Sequence, residues 1–534
     1  MFGQSIVGSV LAILLATPIL LATPGGDTRL SNAAMQGDRE AVESLLEQNV
    51  DVNAAQADGS TALHWAAYRN ELEMARLFIE TGAQVDVRTR GGGLTPLSMA
   101  AQNGSAAMIE LLLKAGADAN STNSNGTTPL MFAAASGKTE ALKALLDHGA
   151  TVSAKEIPNG QTALMFAAAR NRGAAIKMLA EHGADLRATS KVSAVKPFGR
   201  FGVPGEEENS KKTTTMGGNT ALHFAAREGH MDAVRELLGE GADVNQTSVS
   251  DNMSPLTQAI INGHFDVAKF ILDHGADPNI ASTADGLFPL WVAIDARYPH
   301  REWYPAPSVE QEATHYLDLI EELLARGADP NAKLGRKPWF RTFGNSTSPK
   351  PAGSTAFWRA AQANDVSGMK LFLAAGADPN IATTAGCSPL QVAAGMENDF
   401  QGTNVVPDAR MDAIKFLVEE IGVDVNSKDD RGYTVLHGAA FIGDNDVIRY
   451  LVEKGADASA RANQISTGPS ILDAEPGHGD TVADMANGWK EKTLQFPETV
   501  NLLIDLGSEF SNTCWASVCV NPTRADKDTK NNRK

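Results

Sequence analysis

Thr220-Ala-Leu-His-Phe-Ala-Ala-Arg-Glu-Gly-His-Met-Asp-Ala-Val-Arg-Glu-Leu-Leu-Gly-Glu-Gly-Ala-Asp-Val-Asn245 is the stretch that decides the fold. Its core, Leu-x-x-Ala-Ala followed about sixteen residues later by Gly-Ala-Asp-x-Asn, recurs along the chain. The leading apolar residue stands at Leu30, Leu63, Leu97, Leu130, Leu164, Leu222, Leu256, Leu290, Phe357, Leu390, Leu436 and Val482. Successive gaps are 33, 34, 33, 34, 58, 34, 34, 67, 33, 46 and 46 residues. A period of 33 to 34, lengthened only by insertions, marks stacked units rather than a single globular core. Each unit buries its apolar face against its neighbours, so 534 residues need not divide into several compact domains.

The residues of one unit predict two helices. Thr61 stands where a side-chain oxygen caps a first helix. Thr95-Pro96, Thr128-Pro129 and Ser254-Pro255 place proline just after that cap, where its missing N–H costs nothing. Paired alanines such as Ala66 and Ala67 allow helices to approach closely, and Gly104, Gly137, Gly229, Gly263 and Gly443 end the first helix in a left-handed residue. A second helix then lines one face with Val234, Leu237 and Leu238, or with Val447, Ile448 and Leu451. Eleven of twelve units stop it with Gly, such as Gly241 or Gly455, and the first uses Asn49. Asp58-Gly59, Asn125-Gly126, Asn159-Gly160 and Asp285-Gly286 are tight-turn tips between units.

In this register the pattern closely resembles the ankyrin repeat over roughly residues 27 to 512. The resemblance implies an all-α solenoid of about 12 helix-turn-helix units with projecting β-turn fingers, and a protein-binding role. Arg29 before Leu30 and Met485 in place of the first alanine make the end units atypical, as capping units are. Units eight to ten, with their long inserts, also resemble a group of exported bacterial ankyrin proteins, which implies an envelope location and no assigned chemistry.

The net charge is −18, and aspartates of the Gly-x-Asp type contribute much of it. Such a field repels nucleic acid and leaves a protein as the expected partner. Residues 1–26 carry no charged side chain, and the apolar run from Ile6 to Ala22 reads as a secretory signal peptide cut between Ala22 and Gly26. An uncleaved N-terminal anchor is the rival reading, because about 17 apolar residues approach membrane-spanning length. The chain is therefore expected to be exported, periplasmic or extracellular, with membrane contact only if residues 1–26 are retained. Cys387 is expected as a buried residue at a helix-capping position. Cys514 and Cys519, in the polar tail 513–534, would form a disulfide clasp in an oxidising compartment.

Inserts interrupt the period near 188–217, 297–313, 332–353, 396–412, 461–479 and 487–497. Those at 188–217 and 332–353 enlarge fingers, those at 297–313 and 396–412 lengthen the link between paired helices, and the last unit has both kinds. Residues 332–352 hold Lys333, Arg336, Lys337, Arg341 and Lys350 with no acid, interleaved with Trp339, Phe340 and Phe343. The 297–313 insert holds Tyr298, His300, Arg301, Trp303 and Tyr304. Aromatics beside arginine make binding hot spots, which selects Trp303, Tyr304, Trp339, Phe340 and Arg341 as partner-binding anchors. Packing of these aromatics onto their own units is the alternative.

No HExxH, phosphate loop, GxSxG elbow or EF-hand loop is present, and Gly137-Lys138-Thr139 lacks the first glycine of a phosphate loop, with Phe132 in its place. His64, His223 and His437 sit at the fourth position of the unit motif, where an imidazole bridges backbone groups. His148, His182 and His274 precede a helix-stopping glycine, where a partly positive ring suits the helix end. No metal, cofactor or catalytic set is implied. The expected function is a non-enzymatic protein-interaction scaffold, working through the concave finger surface and the inserts, with an accessory or regulatory subunit of an envelope enzyme as one form of that role. An enzyme built from the inserts around His300 and Glu302, or a membrane-tethered structural protein, are the alternatives.

Overall fold

The computed structural model describes residues 27–195, 214–299, 307, 309–336, 338, 351–396, 405–406, 408–465, 472–473, 478–486 and 496–510. It divides into two compact bodies, one up to Asp185 and one from Leu186 onward. The first body holds five helix pairs: α1 (Arg29–Gln36) and α2 (Arg39–Glu47), α3 (Ala62–Arg69) and α4 (Leu72–Glu80), α5 (Pro96–Asn103) and α6 (Ala106–Lys114), α7 (Pro129–Ser136) and α8 (Thr139–Asp147), α9 (Ala163–Ala168) and α10 (Gly173–Glu181). The second holds α11 (Ala221–Arg227) and α12 (Met231–Gly239), α13 (Pro255–Ile261) and α14 (Phe265–Asp273), α15 (Pro289–Arg297) and α16 (Tyr316–Ala325), α17 (Ala356–Gln362) and α18 (Val366–Ala374). It continues with α19 (Pro389–Ala393) and α20 (Arg410–Lys415), α21 (Val435–Ile442) and α22 (Asn445–Glu453), α23 (Val482–Ala486) and α24 (Pro497–Asp505). These pairs are units 1 to 12 in the register of the sequence.

Within each body, first helices pack on first helices and second helices on second helices, so the core is a double layer. The leading leucines of most units and the paired alanines are fully buried, for example Leu97, Ala100 and Ala101. On the second helices Val234 and Leu237 are buried, whereas the expected Leu238 is only half-buried, so the apolar stripe is narrower than the sequence suggested.

The helix ends follow from local chemistry. The hydroxyls of Thr95, Thr128 and Ser254 accept from the N–H three residues on, at 3.2, 3.4 and 3.1 Å. Every second-helix stop has a positive φ, from Asn49 at 56° to Gly507 at 99°. At Gly137 a second constraint joins the backbone angle: a Cβ there would lie 2.5 Å from the Arg172 side chain of the next unit. Cys387 is buried as expected, but the cap of α19 is Ser388. Cys387 is the residue before it, and its carbonyl accepts from Trp358 Nε1 at 3.0 Å.

Three sets of polar stitches join consecutive units. Backbone N–H groups of each finger donate to carbonyls of the finger before, as in Ile157 to Asn125 at 2.8 Å and Thr283 to Asp251 at 2.7 Å. The Asn of Gly-Ala-Asp-x-Asn clasps the next unit: Asn279 Nδ2 donates to the Gly327 carbonyl at 2.8 Å, and its Oδ1 accepts from Asp329 N at 2.9 Å. The third residue of several first helices reaches the carbonyl just before the next cap. His223 accepts from Thr220 N on Nδ1 at 3.2 Å, which places its proton on Nε2, and Nε2 donates to the Met253 carbonyl at 2.9 Å. His437 meets the Asp480 carbonyl in the same way, and Gln391 performs the same pair of contacts through Oε1 and Nε2.

Strands occur only at insert stems among the described residues. Antiparallel ribbons β1 (Ser193–Val195) with β2 (Thr214–Met216), and β3 (Gln464–Ile465) with β4 (Leu472–Asp473), extend two fingers. The insert near 188–217 therefore begins and ends as a hairpin. An insert emerging from a finger prolongs two adjacent antiparallel segments, so continued pairing is its natural start.

Burial pushes the rings of His223 and His437 down to about 4 from an ordinary 6.5, and lowers His64 as well. The unfolded chain takes up protons below about pH 6.5 that these folded rings refuse until about pH 4, so stability falls as pH drops through that window. Replacing His223 by Gln keeps the stitch, as Gln391 shows, and removes the titration. The variant is expected to lose about 3 kcal/mol less stability than the parent between pH 7 and pH 4. Urea denaturation across that range checks this, and parallel curves for the two chains would refute it.

Candidate partner-binding surface

Unit 8 departs furthest from the repeat, because both connections that leave its helices are enlarged. On α17, Arg359 occupies the place that Trp65, Phe132 and Phe224 hold in other units. Its guanidinium is fully buried, and Nε donates to Asp295 Oδ1 of α15 at 3.0 Å, the two side chains being 0% and 1% exposed. Nη2 donates to the carbonyl of Tyr298, the residue at which α15 ends and the 297–313 insert departs. A buried charge is tolerable only when paired and hydrogen-bonded, and here the pairing ties the outgoing stem to unit 9.

The returning stem is tied just as firmly. Tyr316, the first residue of α16, shares a hydroxyl contact with Tyr298 at 3.1 Å and donates to Asp365 Oδ2, at the cap of α18, at 3.1 Å. The Arg297 guanidinium lies over both tyrosine rings, at 5.4 and 5.7 Å. Before α16, Ala313 N, Thr314 N and the Thr314 hydroxyl all donate to Asp266 of unit 7, and Asp266 N donates to Glu312. Pro307 and Val309 cover Gly263, where the next unit normally supplies a side chain. The described half of the insert thus packs back onto unit 7.

On the finger side, the stems of the 332–353 insert close on each other. Leu334 N donates to Ser354 O at 2.9 Å, Gly353 N donates to Leu334 O at 2.6 Å, and Gly335 and Arg336 N both donate to Asp285 O. Lys333 and Arg336 are exposed there.

The titration directions at this cluster follow from burial. Burial, with the Asp365 charge nearby, raises the Tyr298 and Tyr316 phenols, so both stay protonated donors. Burial likewise raises Asp365 against the lowering effect of the Gly368 N–H and Tyr316. Among the described residues, no group of three or more His, Cys, Asp or Glu could hold a metal ion. His300 and Glu302, expected at an insert-built active site, lie outside the described residues; nearby, Glu312 accepts from Asp266 N and His315 caps α16.

The expected anchors Trp303, Tyr304, Trp339, Phe340 and Arg341 also lie outside the described residues, as do Cys514 and Cys519. The structure places the stems that carry those anchors, and these are the buried cluster and the finger clasp above. Among the described residues four exposed large apolar side chains escaped the sequence reading: Met35, Ile157, Val192 and Val249. Ile157 and Val249 are each 66% exposed on finger tips where other units carry Arg90, Ser124, Thr283 or Asp430. Aligning the tips in register would have singled them out.

A family model described as ankyrin repeats, three copies, matches residues 30–123, 97–190, 200–282 and 357–462, more than half of the chain. The chain belongs to the ankyrin repeat family. Unit 8 falls in the gap between the last two ankyrin matches, although α15 and α16 form an ordinary helix pair there. The chain is 29% identical over 148 residues to alpha-latrocrustotoxin-Lt1a of Latrodectus tredecimguttatus, 28% of this chain and 8% of that protein. It is 36% identical over 96 residues to palmitoyltransferase Hip14 of Drosophila melanogaster, 17% of this chain and 15% of that one. With ankyrin repeat domain-containing protein 40 of Mus musculus it shares 38% over 65 residues, 12% of this chain and 18% of that protein. The matched stretches are thus a small part of each relative's length.

Removing Arg359 alone strands the Asp295 carboxylate. Arg359→Leu is expected to destabilise the second body by on the order of 3 to 5 kcal/mol, and Asp295→Leu/Arg359→Leu by clearly less. Thermal unfolding of both variants decides the matter, and equal losses would show that the pair's charge is not what holds the stem.

Proposed function

We propose that this ankyrin repeat protein is a non-enzymatic scaffold that captures a protein partner through the two enlarged connections of unit 8 and the finger surface. The observation that carries the reading is the clamping of the 297–313 stems by groups of units 7 and 9, namely the half-buried Asp266 and the buried Arg359 and Asp365. A loop that only bridges two helices does not need a buried ion pair at its root. A loop that presents anchors does, because fixing its stems beforehand lowers the ordering cost of binding.

The anchors are Trp303 and Tyr304 on one connection and Trp339, Phe340 and Arg341 on the other. The cationic 332–352 segment on a chain of charge −18 favours an acidic patch on the partner. The apolar run from Ile6 to Ala22 supports export to the periplasm or beyond, with anchoring if it is retained. No helix among the described residues is long and apolar enough to cross a membrane. An accessory role beside an envelope enzyme fits these features.

Affinity capture from an envelope extract tests the reading, with the chain from Asp27 onward as bait beside its Trp339→Ala/Phe340→Ala/Arg341→Ala variant. A protein held by the first bait and reduced about a hundredfold on the second is expected, since hot-spot anchors cost about 2 kcal/mol or more each. The same proteins on both baits would remove the 332–352 insert from the binding face.

A further inference from the structure

The second helices of units 6, 7 and 11 run nine residues from their aspartate to the stopping glycine: Asp232 to Gly241, Asp266 to Gly275, Asp446 to Gly455. Unit 10 runs ten, from Asp412 to Gly422. The structure absorbs the extra residue as a π-helical turn, Phe416–Ile421, after α20, and the Gly422 N–H reaches back to the Leu417 carbonyl. Single-residue insertions into a helix take this form, and they collect at functional places.

The extra residue changes how unit 10 meets unit 9. Asn53, Asn120, Asn245, Asn279, Asn331 and Asn426 each clasp the stopping glycine of the following unit. Asn380 holds the same place after unit 9, yet its Nδ2 turns to its own neighbour Asp378 at 3.2 Å. Among the described residues no bond joins it to Gly422 or Asp424. Junctions 2/3, 4/5 and 11/12 have Asp86, Ser153 and Ser459 in place of this asparagine, so 9/10 alone has the clasp and leaves it undone. What remains at the outer end is the exposed pair Lys370 and Glu420 at 3.9 Å, with Lys370 over the Phe416 ring.

The inner side of the same junction is intact. Trp358 bonds the Cys387 carbonyl, α17 packs on α19, and Asp430 N donates to Ala385 O between fingers. A strap crosses the helix-connection end, where Val406 N of the 396–412 insert donates to Ala363 O of unit 9 at 2.9 Å. Close by, Gln362 Nε2 and Asn364 Oδ1 are buried and have no hydrogen-bond partner among the described residues. Buried groups left in that condition favour any motion that admits water.

We propose that the junction between units 9 and 10 is a hinge. Its outer end opens while the finger ladder and the first helices act as the pivot, so units 10 to 12 swing against unit 9, limited by the Val406 strap. Opening exposes the π turn.

Hydrogen exchange of the full chain, read at the amides of Asp424, Asp329 and Asp277, tests the hinge. Exchange at Asp424 is expected to be at least about tenfold faster than at the other two, and deletion of Glu420, which restores the nine-residue spacing, is expected to slow it to within about threefold. Equal rates in the parent chain, or a folded deletion variant that still exchanges as fast, would overturn the proposal. A second comparison stands even if the deletion variant does not fold. Asn331→Ala is expected to lower the urea midpoint and Asn380→Ala to leave it in place, whereas equal drops would show that Asn380 already holds the junction closed.

Discussion

At five junctions the carbonyl just before a first-helix cap, already bonded by a backbone N–H of its own finger, accepts a second hydrogen bond from a side chain of the unit before. That second bond stitches neighbouring first helices together. Leu94, Met253, Cys387, Tyr433 and Asp480 present such carbonyls, and His64, His223, Trp358, Gln391 and His437 supply the donors. Three different side-chain chemistries do one job, so the requirement is a hydrogen bond at a given place, not a particular residue. Each is the carbonyl's second bond, beside a backbone one such as Ser248 N to Met253 at 2.9 Å, so losing it costs about 0.5 to 1.5 kcal/mol. The asparagine clasp and the finger ladder repeat the principle at other places, and all three couple only adjacent units.

Much of this was legible in the sequence because the constraints are local. Positive-φ stops, threonine caps and proline at the first helical turn each follow from one residue in a known register. The histidine at the fourth motif position declared its bridging role as well. Departures arose where a second element intervenes. Cys387 stands one residue before the cap: it aligns with Leu94, Thr127 and Met253, and Ser388 aligns with the capping Thr95, Thr128 and Ser254. The stem ribbons depend on pairing between Ser193–Val195 and Thr214–Met216, across an insert whose composition suggests no strand. The extra residue of unit 10 was countable, yet only the structure shows it as a π turn that leaves Asn380 unused. The Arg359–Asp295 pair spans 64 residues and no local pattern announces it.

The candidate binding surface shows the same division. The sequence proposes anchor residues by composition, and the structure shows how the stems on either side of them are held. Tyr298, Tyr316 and Asp365 looked like ordinary insert and helix-end residues, but together they fix both stems of one connection. Rigid neighbours on either side and a departure from the repeat in the middle are what a recognition loop requires.

The central claim is that neighbour-to-neighbour stitches hold this array, with no core shared across distant units. Its most direct test is a residue-resolved hydrogen-exchange map of the full chain carrying Asn279→Ala, a change that removes the clasp between units 7 and 8. Faster exchange confined to α13 through α16 and the fingers beside them, with α21 and α22 unchanged, is the expected result. Equal acceleration across every helix of the second body would contradict it, and would mean that the units unfold only as one.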